Sequence, residues 1–276
     1  MSTASPGAGY FSESLARGLR VIRAFDRVSP LLSISDVAKR AGISRAAARR
    51  YLLTLQDLGY AGSQNGQFYL RPRVLEIGFS YLSSVDLDRI VQPYLNELAE
   101  KTHETSSFAV LDKFDVLFVA RAASRRVLNF SVSIGGRIPP YGTSIGHVLL
   151  AGLSPEEFAQ YLDHLESRPT GDVAVPNRDR LQETIQQVRA QGWEVIDGKG
   201  GGGLASIALP VRNRAGTVIA AVNIIQYPGR ASRRYLTKNY LPLLRESVDH
   251  LEAALEASGH FTLGTYREAH GQTELA

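Results

Sequence analysis

The stretch Ser33–Tyr60, "SISDVAKRAGISRAAARRYLLTLQDLGY", restricts the fold more than any other part of the chain. Two helical patterns lie in it, separated only by Gly42-Ile43-Ser44. In the first, Val37, Ala38 and Ala41 fall on an inward face, Ser33 or Ser35 is placed to cap the start, and Gly42 suits the stop. Ser44 caps the second. Two short helices joined across a glycine turn form a helix-turn-helix. Upstream, Leu15, Leu19, Ile22 and Phe25 recur at spacings of four, three and three, which predicts one apolar face of a preceding helix. Downstream, "YAGSQNGQFYL" places two short runs around Asn65-Gly66, a dipeptide that favours a type I′ hairpin. Residues 11–71 are therefore expected to form a winged helix-turn-helix.

The second helix of that pair is slim and cationic where it begins and apolar where it ends. Arg45 and Arg49 are four residues apart and share a face, with Arg50 beside them and Ala46 between. Leu52, Leu55 and Leu58 are expected to anchor the other side. A helix that enters a DNA major groove needs this polarity, because its first turns meet base edges and its later turns fix it to the domain. Arginine suits guanine or phosphate, and alanine allows close approach. Charge supports a polyanion partner: residues 1–75 hold 11 Lys and Arg against 4 Asp and Glu, while the whole chain is only +4. The candidate DNA contacts are Ser44, Arg45, Ala46, Arg49 and Arg50, with Arg17 and Arg20 of the first helix as phosphate contacts or solvated charges. The bland alternative is a solvated basic face over a three-helix core.

Beyond the wing, "RPRVLEIGFSYLSS" predicts a linker helix over 72–86, with Leu75, Phe79 and Leu82 on one face. Residues 87–258 alternate between helical stretches and hairpins. "SSFAVLD" and "DVLFVARAA" pair around Lys113-Phe114, "RVLNFSV" reads as a third strand, and "SIALPVRN" and "TVIAAVNIIQY" pair across Arg214-Ala215-Gly216. Hairpins flanked by helices give an antiparallel sheet, so the fold class is α+β. The tail 259–276 is poor in apolar residues and is expected to be mobile. The 276 residues contain no cysteine, which excludes disulfides and cysteine-ligated metals. No apolar run approaches a membrane span, and the N-terminus lacks the features of a signal peptide, so a cytoplasmic protein without membrane contact is expected.

Gly142–Gly146, "GTSIG", satisfies the G-x-S-x-G pattern that presents a nucleophilic serine in hydrolases. That chemistry needs a strand running into the turn, and Pro139-Pro140 stand in its place. The alternative reading makes Thr143 or Ser144 the cap of a helix whose first-turn N–H groups receive a carboxylate. "GKGGGG" is not a phosphate-binding P-loop, because no Ser or Thr follows Lys199. No cofactor or catalytic residue is called for. A third possibility is an architectural DNA binder without a ligand.

"SLARGLRVIRAF", the helix-turn-helix stretch, "LRPRVLEIG", "GGRIPPYGTSIGHVLLAG" and "SIALPVRNRAGTVIAAVNI" together resemble the IclR family of transcriptional regulators over about residues 11–258. The opening motif and Asn223 are most similar to the subgroup controlling protocatechuate, 4-hydroxybenzoate and β-ketoadipate catabolism. The resemblance implies a GAF-like effector domain and homodimers, or dimers of dimers, on palindromic double-stranded operator DNA. It also implies an effector site made of Tyr141, Gly142, Thr143, Ser144, Leu204, Ala205, Ser206, Ile207 and Asn223. Hydroxyl and amide donors among apolar walls suit a small aromatic or keto acid. The chain departs from the family pattern at "DGKGGGGLASIA", where relatives commonly carry an acidic residue, and at His147, where they often carry a basic one.

Overall fold

The computed structural model describes residues 11–26, 28–84, 87–124, 133–167, 176–197, 204–226 and 232–259. These form two compact units, which divide between Tyr81 and Leu82.

In the first unit, α1 (Glu13–Arg23), α2 (Ile34–Ala41) and α3 (Arg45–Asp57) are followed by a hairpin of β1 (Ala61–Gln64) and β2 (Gln67–Leu70). Local chemistry sets each boundary. Ser33 accepts from Asp36 N and Asp36 bonds back to the Ser33 backbone, a reciprocal box that starts α2, and Gly42 ends it at φ 64°. Ser44 accepts from Ala47 N to start α3. Asn65 and Gly66, at φ 51° and 77°, make the tight turn of the wing. Val21, Val37, Ala38, Ala48, Leu52 and Phe68 form the common core. Arg40 ties α2 to the end of α1, donating to Ala24 O, Asp26 and Ser29 Oγ at 2.9, 2.7 and 2.6 Å.

Two apolar expectations fail here. Val21 and Ala24 carry α1 into the core, Ile22 and Phe25 are half-buried, and Leu15 and Leu19 are 64% and 45% exposed. The stripe is real, but it runs past the end of the core onto the surface. Leu58 is also exposed, because α3 stops at Asp57 and Leu58 is its C-cap. After a 3-10 turn at Pro72–Val74, α4 (Leu75–Ser84) exposes Leu75, Ile77 and Phe79. The side chain of Leu82 lies outside the described residues.

The second unit begins with α5 (Leu87–Ile90) and α6 (Gln92–Thr102). The hairpin of β3 (Thr105–Asp112) and β4 (Asp115–Ala122) follows, then a short β5 (Arg137–Ile138). Next come α7 (Ser144–Ala151), α8 (Pro155–Ser167), α9 (Arg178–Gln191) and β6 (Glu194–Ile196). The hairpin of β7 (Ala205–Arg212) and β8 (Val218–Gln226) precedes α10 (Arg233–Asn239) and α11 (Leu241–Ser258). All six strands of the unit pair antiparallel in the order β5-β4-β3-β8-β7-β6. The third strand expected over 126–132 and the loop 198–203 lie outside the described residues, as does the tail from residue 260.

Alternation sorts the two faces of the sheet. Ser106 donates to Leu95 O of α6 at 2.7 Å, so its face meets α6, and α11 lies against the same side through β7 and β8. The opposite face meets α7, where Ile145, Val148 and Leu149 pack on Ala109, Phe118 and Ala221. Gly146 lets the Pro140 backbone lie directly against α7, since a Cβ there would overlap Pro140. β8 is buried along nearly its whole length, as a central strand covered on both faces must be.

Candidate nucleic-acid interface and ligand pocket

In the first unit, Ser44, Arg45, Ala46, Arg49 and Arg50 are all exposed, while Ala48 and Leu52 of the same helix are fully buried. Arg45 and Arg49 have neither a hydrogen bond nor an acidic partner among the described residues. Arg50 lies over the Tyr51 ring at 5.6 Å. The first helix is different. Arg17 Nε and Arg20 both bond Glu13, at 2.8 and 3.2 Å, and these arginines hold the Glu13 carboxyl below its usual range. The basic excess of this unit is thus partly spent on internal pairs at Arg17, Arg20, Arg40 and Arg73. What is left unneutralised on α3 is a cationic first turn beside small side chains.

In the second unit, the Pro140–Gly142 turn leads into α7, and Thr143 is its cap, accepting from Gly146 N at 3.1 Å. Ser144 does something else. It is fully buried, and its hydroxyl donates to Ser206 Oγ at 2.8 Å. The nearby imidazole, His147, bonds the Tyr141 carbonyl through Nε2 at 2.8 Å. Ser144 therefore has a second serine as its partner and, among the described residues, no base bonded to take its proton, which a nucleophile requires.

Strand register places the remaining candidates. Ser206 lies on the α7 face of β7, and Leu204 precedes that strand. Ala205 and Ile207 alternate to the opposite face, so only their backbones border the α7 side. Asn223 lies on the α7 face opposite Ala208 of β7 and Ser107 of β3. Ser107 opposes Arg121 of β4, and Ala208 opposes Glu194 of β6. One polar row thus crosses five adjacent strands: Arg121, Ser107, Asn223, Ala208 and Glu194. Sequence reasoning singled out only Asn223 in this row. The signal for the others was charge or hydroxyl inside apolar runs ("FVARAA", "TSSFAV", "WEVID"), but nothing local says that they share a row.

The row is buried and incompletely bonded. Ser107 Oγ and Asn223 Oδ1 have no hydrogen-bond partner among the described residues, and neither does His147 Nδ1. Their residues are 1%, 3% and 9% exposed. Unpaired polar atoms at that depth are costly unless something else satisfies them. Glu194 accepts from Val195 N at 2.8 Å and meets Arg233 at 3.5 Å. Burial pushes the His147 pKa down, against smaller opposing effects of the Tyr141 hydrogen bond and the Glu194 charge, so the ring is neutral at pH 7. Among the described residues no group of His, Asp and Glu is arranged to hold a metal ion. No described helix is long and apolar enough to cross a membrane.

Comparison with known proteins accounts for both units. The model of the IclR helix-turn-helix domain matches residues 14–64, and that of the C-terminal domain of bacterial transcriptional regulator IclR matches residues 79–253. The chain is 41% identical to the Pca regulon regulatory protein of Pseudomonas putida, over 85% of this chain and 81% of that protein. It is 36% identical to the p-hydroxybenzoate hydroxylase transcriptional activator of Acinetobacter baylyi, over 86% and 89% of the two chains. A crystal structure of a transcriptional regulator from Rhodococcus sp. RHA1 is similar with a TM-score of 0.78 and 42% identity, covering 90% of this chain and all of that one.

Proposed function

The chain belongs to the IclR family of bacterial transcriptional regulators, and from that premise we propose that it couples a small organic acid bound in the second unit to operator recognition by the first, in the control of aromatic-acid catabolism. It is a regulator and not an enzyme. The observation that carries the reading is the exposed, unpaired cationic start of α3 on a helix whose later turns are core. Ser44, Arg45, Ala46, Arg49 and Arg50 would meet the major groove, and Arg17, already engaged by Glu13, would contact phosphate.

Two such heads would occupy successive major grooves of a palindromic site, roughly 34 Å apart. The exposed Leu15 and Leu19 on α1, with Phe11 just before it, support a second copy as the cover for that face, as do Leu75 and Phe79 on α4. The assembly would be a homodimer or a dimer of dimers, in the cytoplasm. The effector side would be formed by Tyr141, Gly142, Thr143, Ser144, Ser206 and Asn223, with Leu204 and the backbones of Ala205 and Ile207 at its border. The relatives' names, which concern the Pca regulon and p-hydroxybenzoate hydroxylase, support an aromatic or keto acid. Such an acid acts only if it binds one spacing of the heads better than another.

The test is a mobility-shift titration of the full-length protein on the DNA upstream of its own gene, with and without a panel of aromatic and keto acids. A specific complex whose affinity changes with an acid is the expected result. Failure to retard any duplex at low salt would overturn the reading.

A further inference from the structure

The middle of α3 is held by the core of the first unit, and its last turn is not. Ala48 and Leu52 are fully buried, Leu55 is half-buried, and Leu58, expected from the sequence as a further anchor, is 52% exposed. The end of the helix therefore projects beyond the apolar contacts that fix it. It also presents carbonyl groups that have no partner inside the helix.

One side chain from further along the chain takes up that end. Arg73 lies in the 3-10 turn Pro72–Val74, which runs directly into α4. Its Nη1 donates to the carbonyl of Leu58, the C-cap of α3, at 2.9 Å, and its guanidinium lies 5.3 Å from the centre of the Tyr60 ring. Its Nε donates to Glu76, in the first turn of α4, at 3.4 Å. Gly59 leaves room for the side chain to cross, since a Cβ there would stand 3.4 Å from Nη1 and 3.6 Å from Cδ. The backbone repeats the tie, with Arg71 N donating to Tyr60 O at 2.8 Å. A cation at a helix C-terminus also meets the negative end of its dipole. Holding a carbonyl, a ring and a carboxylate at once suits a planar fork and not a single ammonium.

Leverage makes this end matter. At 1.5 Å per residue Arg45 lies about 10 Å from Leu52, so a tilt of about 10° around that buried point moves it by about 2 Å. Base contacts do not survive such a shift, because a hydrogen bond holds only over a narrow range of distance and angle. Attraction to phosphate falls off slowly and does survive it. We propose that Arg73 is a positioning residue for DNA recognition: it clamps the last turn of α3 to the first turn of α4 and so sets the angle at which Arg45 and Arg49 meet the groove. Arg73 itself touches no base. The proposal rests on the reading of α3 given above and deepens it.

The test compares the full-length protein with Arg73→Gln and Arg73→Lys on two duplexes over a range of salt concentrations. One duplex is the best sequence from a binding-site selection with the unaltered protein, and the other is a shuffled version of it. In Arg73→Gln the ratio of the two affinities is expected to fall by ~10-fold or more, about the loss of one base contact, while the salt dependence on the shuffled duplex stays the same. Arg73→Lys is expected to lose selectivity as well, since it keeps the charge and not the fork. Loss of folded protein lowers both affinities together and leaves their ratio alone, so a merely structural role does not imitate this result. An unchanged ratio in Arg73→Gln overturns the proposal. So does full rescue by Arg73→Lys, or a salt slope reduced by about one in Arg73→Gln, because either marks a phosphate contact. If the unaltered protein selects no sequence at all, the reading of α3 fails, and this proposal with it.

Discussion

Arg45 and Arg17 are the same residue type within one small unit, and their surroundings separate them. Arg45 is exposed at the start of α3 without an acidic partner among the described residues, whereas Arg17 is held by Glu13 at 2.8 Å. Arg45→Ala is expected to cost about 1–3 kcal/mol and to relax preference at one base position in a binding-site selection, as loss of a base contact does. Arg17→Ala should weaken all sequences alike and by less. An unchanged selection profile for Arg45→Ala would remove it from the base contacts.

His147 carries a second prediction at this scale. Burial depresses its folded pKa below the ordinary 6.5, so the unfolded chain takes up the proton first as the pH falls. Stability is then full above about pH 6.5 and declines below it until the folded pKa is reached. Thermal melts of the ligand-free protein from pH 8 to pH 5 should show that decline, and His147→Gln should flatten it. Parallel curves would contradict the assignment. At residue scale the sequence was most informative where chemistry is local. Ser44 and the arginines of α3 were legible because helix spacing alone puts them on one face. Ser107, Arg121 and Glu194 were not, because register between strands far apart in sequence decides what they face.

Elements followed the same rule. Helices α2 and α3 and both hairpins of the second unit were legible because their caps and turns are written in adjacent residues, as with Ser33, Gly42, Ser44 and the Asn65-Gly66 turn. Ser33→Ala removes the acceptor for Asp36 N and half of the capping box. It should destabilise the first unit by about 1 kcal/mol, read as a lower denaturant midpoint with an unchanged slope; no shift would mean that another group caps α2. The α1 stripe was misread for a reason of principle. Periodicity shows that a helix has an apolar face, but not what covers it. β6 and α10 went unnoticed because three and seven residues carry too little periodicity to stand out.

At the scale of the whole molecule, the stripe that left the core becomes the argument for assembly. Leu15→Ser combined with Leu19→Ser should leave the buried residues Val21 and Ala24 undisturbed while weakening association of two copies. Sedimentation should then show a shift toward smaller species and operator binding should become more dependent on protein concentration. If neither changes, that face is not the contact between copies. A bound effector should raise thermal stability by mass action, by about 2.7 kcal/mol at a hundredfold excess over its Kd. The alignment of the buried polar row was not legible in the sequence, since it depends on long-range placement.

The row from Arg121 to Glu194 exists only as an alignment of neighbouring strands. A single residue inserted into β8 ahead of Asn223 would leave every amino acid of the pocket in the chain, yet turn the amide toward α11. If the row forms the effector site proposed above, such a variant is expected to lose its response to an acid while the first unit keeps its grip on DNA. In this sheet, insertions and deletions are the mutations to search for among variants that no longer respond to an acid, ahead of substitutions.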